Sequence, residues 1–246
     1  MANNVIKEKL TFPAGEYEGE ILDGKPHGKG KYTYEDGTVY EGDFVDGYFH
    51  GRGKYTNADY TNRYVYEGDF EDECFQGKGK MVFANGNVYE GDFADSDFNG
   101  KGKYTWANGA VYEGDFADGK LTGKGKFTYS DGDIYEGEIL DGELYGKGKM
   151  TYADGSVYEG DFVNGKHHGK GKLTYENGSV YEGEFAYGGM WGQGKQTNTD
   201  GRIYEGGFYY DTHDQPVGEG TMTYPDGRIV KGGWKNCEFI EKKRNG

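Results

Sequence analysis

Proline is scarce, four residues in 246, and cysteine scarcer, with only Cys74 and Cys237. The first scarcity separates the chain from collagen: its 47 glycines follow no three-residue period and have no proline beside them. Runs of apolar residues are also missing. None approaches the roughly 20 residues of a membrane helix, and residues 1–15 lack the apolar core of a signal peptide, so a cytoplasmic product is expected. Basic charge is the minority, 28 Lys and Arg against 43 Asp and Glu, a formal net charge of −15. That balance argues against nucleic acid, whose binding needs a local excess of cations, and disfavours anionic membrane lipid in the same way. Aliphatic residues are too few for a thick two-layer core. Aromatics are not: at 17% they oppose disorder and point to a chain that folds around a thin aromatic layer.

What is present is a repeat. Tyr-Glu-Gly begins at Tyr17, Tyr40, Tyr66, Tyr89, Tyr112, Tyr135, Tyr158, Tyr181 and Tyr204, at steps of 23 residues with one of 26. A degenerate tenth copy stands at Val230-Lys231-Gly232. Gly-x-Gly follows each tyrosine by about eleven residues, as at Gly51-Arg52-Gly53 and Gly146-Lys147-Gly148. Asp-Gly or Asn-Gly then closes the unit, at Asp36-Gly37, Asn85-Gly86, Asn108-Gly109, Asp131-Gly132, Asp154-Gly155 and Asn177-Gly178, where a positive φ costs little. Each unit therefore reads as two short strands joined by hairpin turns. Cys74 and Cys237 are separated by about seven such units, beyond disulfide reach in a linear array, and are expected as free thiols.

Period-two alternation assigns the faces. Tyr40, Gly42 and Phe44 share one side, and Phe49, Gly51, Gly53 and Tyr55 continue it on the next strand, so rings are expected to lie flat over bare glycine backbone. The other side carries Glu41 and Asp43, with Lys29, Lys31 and Thr33 on a neighbouring strand. Rows of opposite charge should alternate and fix register more than stability. The expected domain plan is a cap strand within 1–16, a tandem array over 17–236 and a tail over 237–246 that includes Lys242, Lys243 and Arg244. Trp234 is expected in the position of Phe44.

The series from Tyr112-Glu-Gly-Asp-Phe116 through Gly-x-Gly to Tyr135 resembles the MORN (membrane occupation and recognition nexus) repeat, over nearly the whole chain. The resemblance implies an all-β, elongated, single-layer antiparallel sheet of tandem two-stranded hairpins. It further implies a scaffold without catalytic activity, of the kind found in ciliary radial spokes, cytoskeletal structures and membrane junctions. Protein partners docking along a groove or rim are expected, self-association remains open, and a phospholipid-binding tether is the alternative. Stacked at about 4.8 Å, some 20 strands would make a ruler of roughly 95 Å.

Chemistry-bearing patterns are few. Gly-x-Gly lacks the third glycine of a dinucleotide fingerprint, and no Gly-Lys-Ser or Gly-Lys-Thr occurs. His27, His50 and His168 share one repeat position, which spaces them rather than converging them, while His167 and His213 fall elsewhere. No catalytic residue, cofactor or metal site is expected. One row invites a partner: Phe49, Phe75, Phe98, Leu121, Leu144 and Met190, each two residues before a Gly-x-Gly, with Val217 directly before the last one, a row interrupted by His167. Either this stripe closes the thin core, or it is an apolar rim that docks a partner. Two irregular stretches, Asn57 to Arg63 and Tyr210 to Val217, are expected to bend or interrupt the array, and Gln196 and Asn198 replace an aromatic pair.

Overall fold

The computed structural model describes residues 6–209, 216–235 and 238–240. Every regular element among them is a β-strand, from Ile6–Phe12 to Glu238–Ile240. The chain divides into two compact units, residues 1–122 and 123–246. Within the first, each strand pairs antiparallel with the next in sequence, from Ile6–Phe12 to Val111–Ala117. The second follows the same rule from Gly123 onward to Glu238–Ile240. Among the described residues each unit is thus an open sheet of consecutive hairpins with no second layer, as the scarcity of aliphatic residues requires.

Two kinds of turn alternate. At the Asp-Gly and Asn-Gly sites that close each unit, the amide of Gly37 donates to the carbonyl of Tyr34, and Gly37 takes a φ of 87°. At the opposite end both central residues are left-handed, as in Asp46 (φ 53°) and Gly47 (φ 100°), the geometry that matches the twist of a two-residue hairpin. Only the first kind falls at dipeptides singled out from the sequence.

A bulge breaks each of these hairpins in most repeats. Gly42 pairs with Gly53 but Asp43 pairs with His50, so Gly51 and Arg52 are extra on their strand. The same shift follows Gly68, Gly91, Gly137 and Gly160. This corrects the alternation expected for Gly51: a Cβ there would meet the Asp43 carboxylate at 3.0 Å, on the charged side, rather than join the aromatic rings.

Of the two outcomes expected of the insertion at Asn57 to Arg63, a bend or an interruption, the interruption does not occur in the strand pairing. Thr56 still pairs with Val65, and Gly51 with Phe70, because the extra residues form an outward loop tied by Asx contacts, the Asp59 amide to Asn57 Oδ1 (2.7 Å) and the Thr61 amide to Asp59 Oδ1 (2.9 Å). The other irregular stretch, with His213, lies largely outside the described residues, as do Cys237 and the basic residues 242–244. Cys74 is a free thiol.

Candidate functional site

The repeated tyrosine organises the aromatic face. Tyr40, Tyr66 and Tyr89 are wholly buried, each lying across two glycines. A Cβ on Gly53 would stand 2.5 Å from the Tyr40 ring, and one on Gly42 would stand 2.5 Å from its hydroxyl, so only glycine fits beneath the ring. The hydroxyl reaches past them to donate to the Asp43 carbonyl at 2.7 Å, and the same bond recurs at Tyr66 to Asp69 (2.8 Å) and Tyr158 to Asp161 (2.9 Å). The tyrosine thereby serves the backbone at the point where the bulge disturbs the ladder. Burial pushes the phenol of Tyr17 up to about 12, and that of Tyr112 likewise.

Phenylalanines lock neighbouring repeats together. Tyr40 meets Phe44 of its own strand at 5.1 Å and Phe70 of the next repeat at 4.9 Å, both edge to face, and Tyr66 repeats this with Phe70 and Phe93. Trp234 occupies the corresponding position at the far end, 2% exposed, with its indole N–H donating to the Gly220 carbonyl.

The row singled out as a partner stripe sits directly on this layer. Phe49 stacks on Tyr40 with centroids 3.8 Å apart, Phe75 on Tyr66 at 4.0 Å and Phe98 on Tyr89 at 3.9 Å. Phe49, Phe75, Leu144 and Met190 are buried, while Phe98 and Leu121 are half-buried. The side chain of Val217 lies outside those described. Such close stacking favours the core role of these side chains. His167, expected to interrupt the row, continues it: its imidazole stacks on Tyr158 at 3.6 Å.

What this face leaves accessible is a second aromatic tier beside the stack, which was not singled out from the sequence. In the first unit it comprises Tyr32, Tyr34, Tyr55, Tyr64, Phe83, Tyr104 and Trp106, all half-buried. Ring contacts link Tyr32 with Tyr34 at 4.7 Å, Tyr55 with Tyr64 at 6.1 Å, Tyr64 with Phe83 at 6.4 Å, Phe83 with Tyr104 at 6.3 Å and Tyr104 with Trp106 at 4.6 Å, while the buried Phe49 lies between Tyr34 and Tyr55 at 6.5 Å from each. Tyr64, carried in by the insertion, supplies the ring that Asn57 lacks. The second unit has a tier of its own, with Phe127 stacked on Tyr129 at 4.3 Å, which weakens to Leu173 and to the polar pair Gln196 and Asn198, joined at 3.1 Å.

The opposite face carries the expected charge ladder. Lys29 pairs with Asp43 (2.6 Å), Lys78 with Asp92 (2.6 Å), Lys54 with Glu67 (2.7 Å) and Lys147 with Asp161 (2.6 Å). The aspartate also ties down the bulge, since its second oxygen accepts the backbone N–H of a bulge residue, Arg52 on Asp43 (3.1 Å) and Lys101 on Asp92 (3.0 Å). An open groove of 1110 Å³ on this face of the first unit is lined by Lys29, Lys31, Arg52, Lys54, Glu41 and Glu67 among others. His27, His50 and His168 are spaced along the strands, and no cluster of metal-ligating side chains occurs among the described residues.

A tandem array of bulged hairpins with a tyrosine seated on two glycines defines a β-repeat protein. The segments 17–39, 40–61, 66–88, 89–111, 112–134, 135–157, 158–180, 181–201 and 204–227 each match the MORN repeat, and the chain belongs to the MORN repeat family. No curated protein matches the sequence. Among solved structures, the chain is similar to the wild-type TCP10 domain of Danio rerio CPAP, at 16% identity over 92% of this chain and 100% of that one, with a TM-score of 0.44. It is also similar to the TCP domain of Drosophila melanogaster SAS-4 (dCPAP) in complex with a proline-rich motif of Ana2 (dSTIL), at 14% identity over 74% and 90%, with a TM-score of 0.41.

Proposed function

We propose that the chain is a non-enzymatic scaffold that binds protein partners along the half-buried aromatic tier. The observation that carries this reading is the row of half-buried rings from Tyr32 to Trp106, poised on a sealed layer that holds them without needing their full burial. Large, rigid aromatic side chains with a polar tip are the residues that anchor protein interfaces. The row from Phe49 to Met190 acts as the floor beneath that surface. Catalysis is disfavoured because the histidines and carboxylates recur along the array instead of converging on one point. A ciliary or cytoskeletal assembly is the setting that the resemblance to MORN scaffolds suggests.

The experiment replaces Tyr104 and Trp106 with Glu in the full chain and compares the proteins it captures from native cells with those held by the unaltered chain. Loss of specific captured proteins with an unchanged β circular-dichroism spectrum is the expected result; identical capture overturns the reading. A phospholipid tether would need free cations, and Lys29, Arg52 and Lys54 of the charged groove are each engaged by a carboxylate. Sedimentation with anionic liposomes at physiological salt should leave the chain in the supernatant, and salt-sensitive pelleting would reverse the ranking.

A further inference from the structure

The second unit contains a small pocket on its aromatic face, 280 Å³ in volume, walled by Tyr152, Tyr175 and Phe185 and edged by Asp154 and Ser156, with His167 beside them. Two side chains of this repeat shape it: the imidazole of His167, where Phe49, Phe75 and Phe98 place a larger ring on the buried tyrosine, and Leu173, where Tyr32, Tyr55, Tyr104 and Phe127 place a ring in the second tier.

The polar groups of the pocket all face the same way chemically. Burial pushes His167 down to about 4, so its imidazole is neutral. Its Nε2 lies 2.8 Å from the Tyr152 hydroxyl. The two share one hydrogen bond, and in either imidazole tautomer the Tyr152 oxygen keeps a lone pair with which to accept. Asp154 uses one oxygen to accept the Ser156 amide at 2.7 Å and keeps further acceptor capacity at the lip. Asp133 and Asp154 both act on Tyr152, whose phenol is pushed up to about 12, chiefly by burial and then by these carboxylates. Among the described residues no lysine or arginine lines the pocket. The result is an acceptor-rich, negatively biased recess with π-faces for walls.

We propose that this pocket receives a cationic side chain, the guanidinium or ammonium group of an arginine or lysine in a partner protein. A guanidinium can lie against the faces of Tyr152 and Tyr175 while its N–H groups reach the Tyr152 oxygen and the Asp154 carboxylate. An apolar side chain would leave those acceptors unanswered, and an anion would meet Asp154. The inference rests on the protein-binding reading and deepens it by naming what one point of the surface recognises.

The test uses the full chain and free probes, so that it is independent of any partner. Nα-acetyl-arginine amide is titrated while the side-chain resonances of His167 and Tyr152 are followed by NMR, with the neutral isostere Nα-acetyl-citrulline amide in parallel. Saturable shifts with the arginine probe, and binding at least about tenfold weaker for citrulline, are expected. His167→Phe installs the ring that Phe49, Phe75 and Phe98 carry at this position, so it should preserve the fold, fill the recess and abolish the shifts at Tyr152. Asp154→Asn keeps the turn contact and should weaken the arginine probe by about tenfold. Equal binding of citrulline, or shifts at Tyr152 that survive His167→Phe, would overturn the proposal. Either result leaves protein capture by the aromatic tier to its own experiment.

Discussion

The hydroxyl of Tyr89 donates to the carbonyl of Asp92, three residues ahead on the same strand, at 2.8 Å, while its ring covers Gly91 and Gly102. A phenylalanine could cover those glycines equally well. The hydroxyl is needed because the bulge after Gly91 disturbs the ladder there, and a buried carbonyl without a donor is costly.

Tyr89→Phe therefore isolates the hydrogen bond from the packing. It should lower the stability of the full chain by about 1 to 2 kcal/mol, read as a lower urea midpoint. Hydrogen exchange should localise the loss to the strands Val88–Ala94 and Asp97–Thr105. A repeat array unfolds in parts, so the local readout matters more than the global midpoint. An unchanged midpoint and unchanged protection would remove the hydroxyl from the account.

Glycines of the two classes should respond differently to alanine. At Gly102 an added Cβ would stand 2.5 Å from the Tyr89 ring, against a side chain that is wholly buried, whereas at Gly109 it would meet nothing within 4 Å but must hold a φ of 89°. Gly102→Ala should cost about 3 kcal/mol or more through overpacking, and Gly109→Ala only about 1 to 2 kcal/mol of backbone strain. Thermal melts of the two variants make the comparison; equal losses would show that the ring yields to the extra methyl group.

Much of this was legible in the sequence, and the exceptions share a cause. The spacing of Tyr40, Gly42, Gly53 and Tyr55 discloses two strands and an aromatic face, because period-two alternation depends only on the chain itself. The bulge at Gly51 and Arg52 breaks that alternation, and nothing in Gly-Arg-Gly distinguishes a bulged pair from a straight one. The contact of the Asp43 carboxylate with the Arg52 amide was hidden with it, so the aspartate read as one more member of a charge row. Likewise, Phe49 and Tyr55 are both apolar residues of one strand. Only the distance to Tyr40 across the sheet separates the stacked ring from the accessible one.

His167 provides a test in which the histidine's own environment sets the sign. In the unfolded chain its imidazole titrates near the ordinary value of 6.5, and in the folded chain burial holds it down at about 4. Between those limits the unfolded chain binds a proton that the folded chain refuses, so stability rises with pH across the window. The contribution is complete above about 6.5 and is lost as the pH falls toward 4, on the order of 3 kcal/mol in all. Carboxylates titrate over part of the same range, but they do so equally in His167→Phe, and the difference between the two proteins cancels them. The chain with His167 should therefore lose stability relative to His167→Phe on going from pH 7.5 to about pH 4.5, measured by urea denaturation at each pH. Parallel curves would mean that the imidazole is already as free to protonate in the folded sheet as in the unfolded chain, and that the stack on Tyr158 opens to admit water.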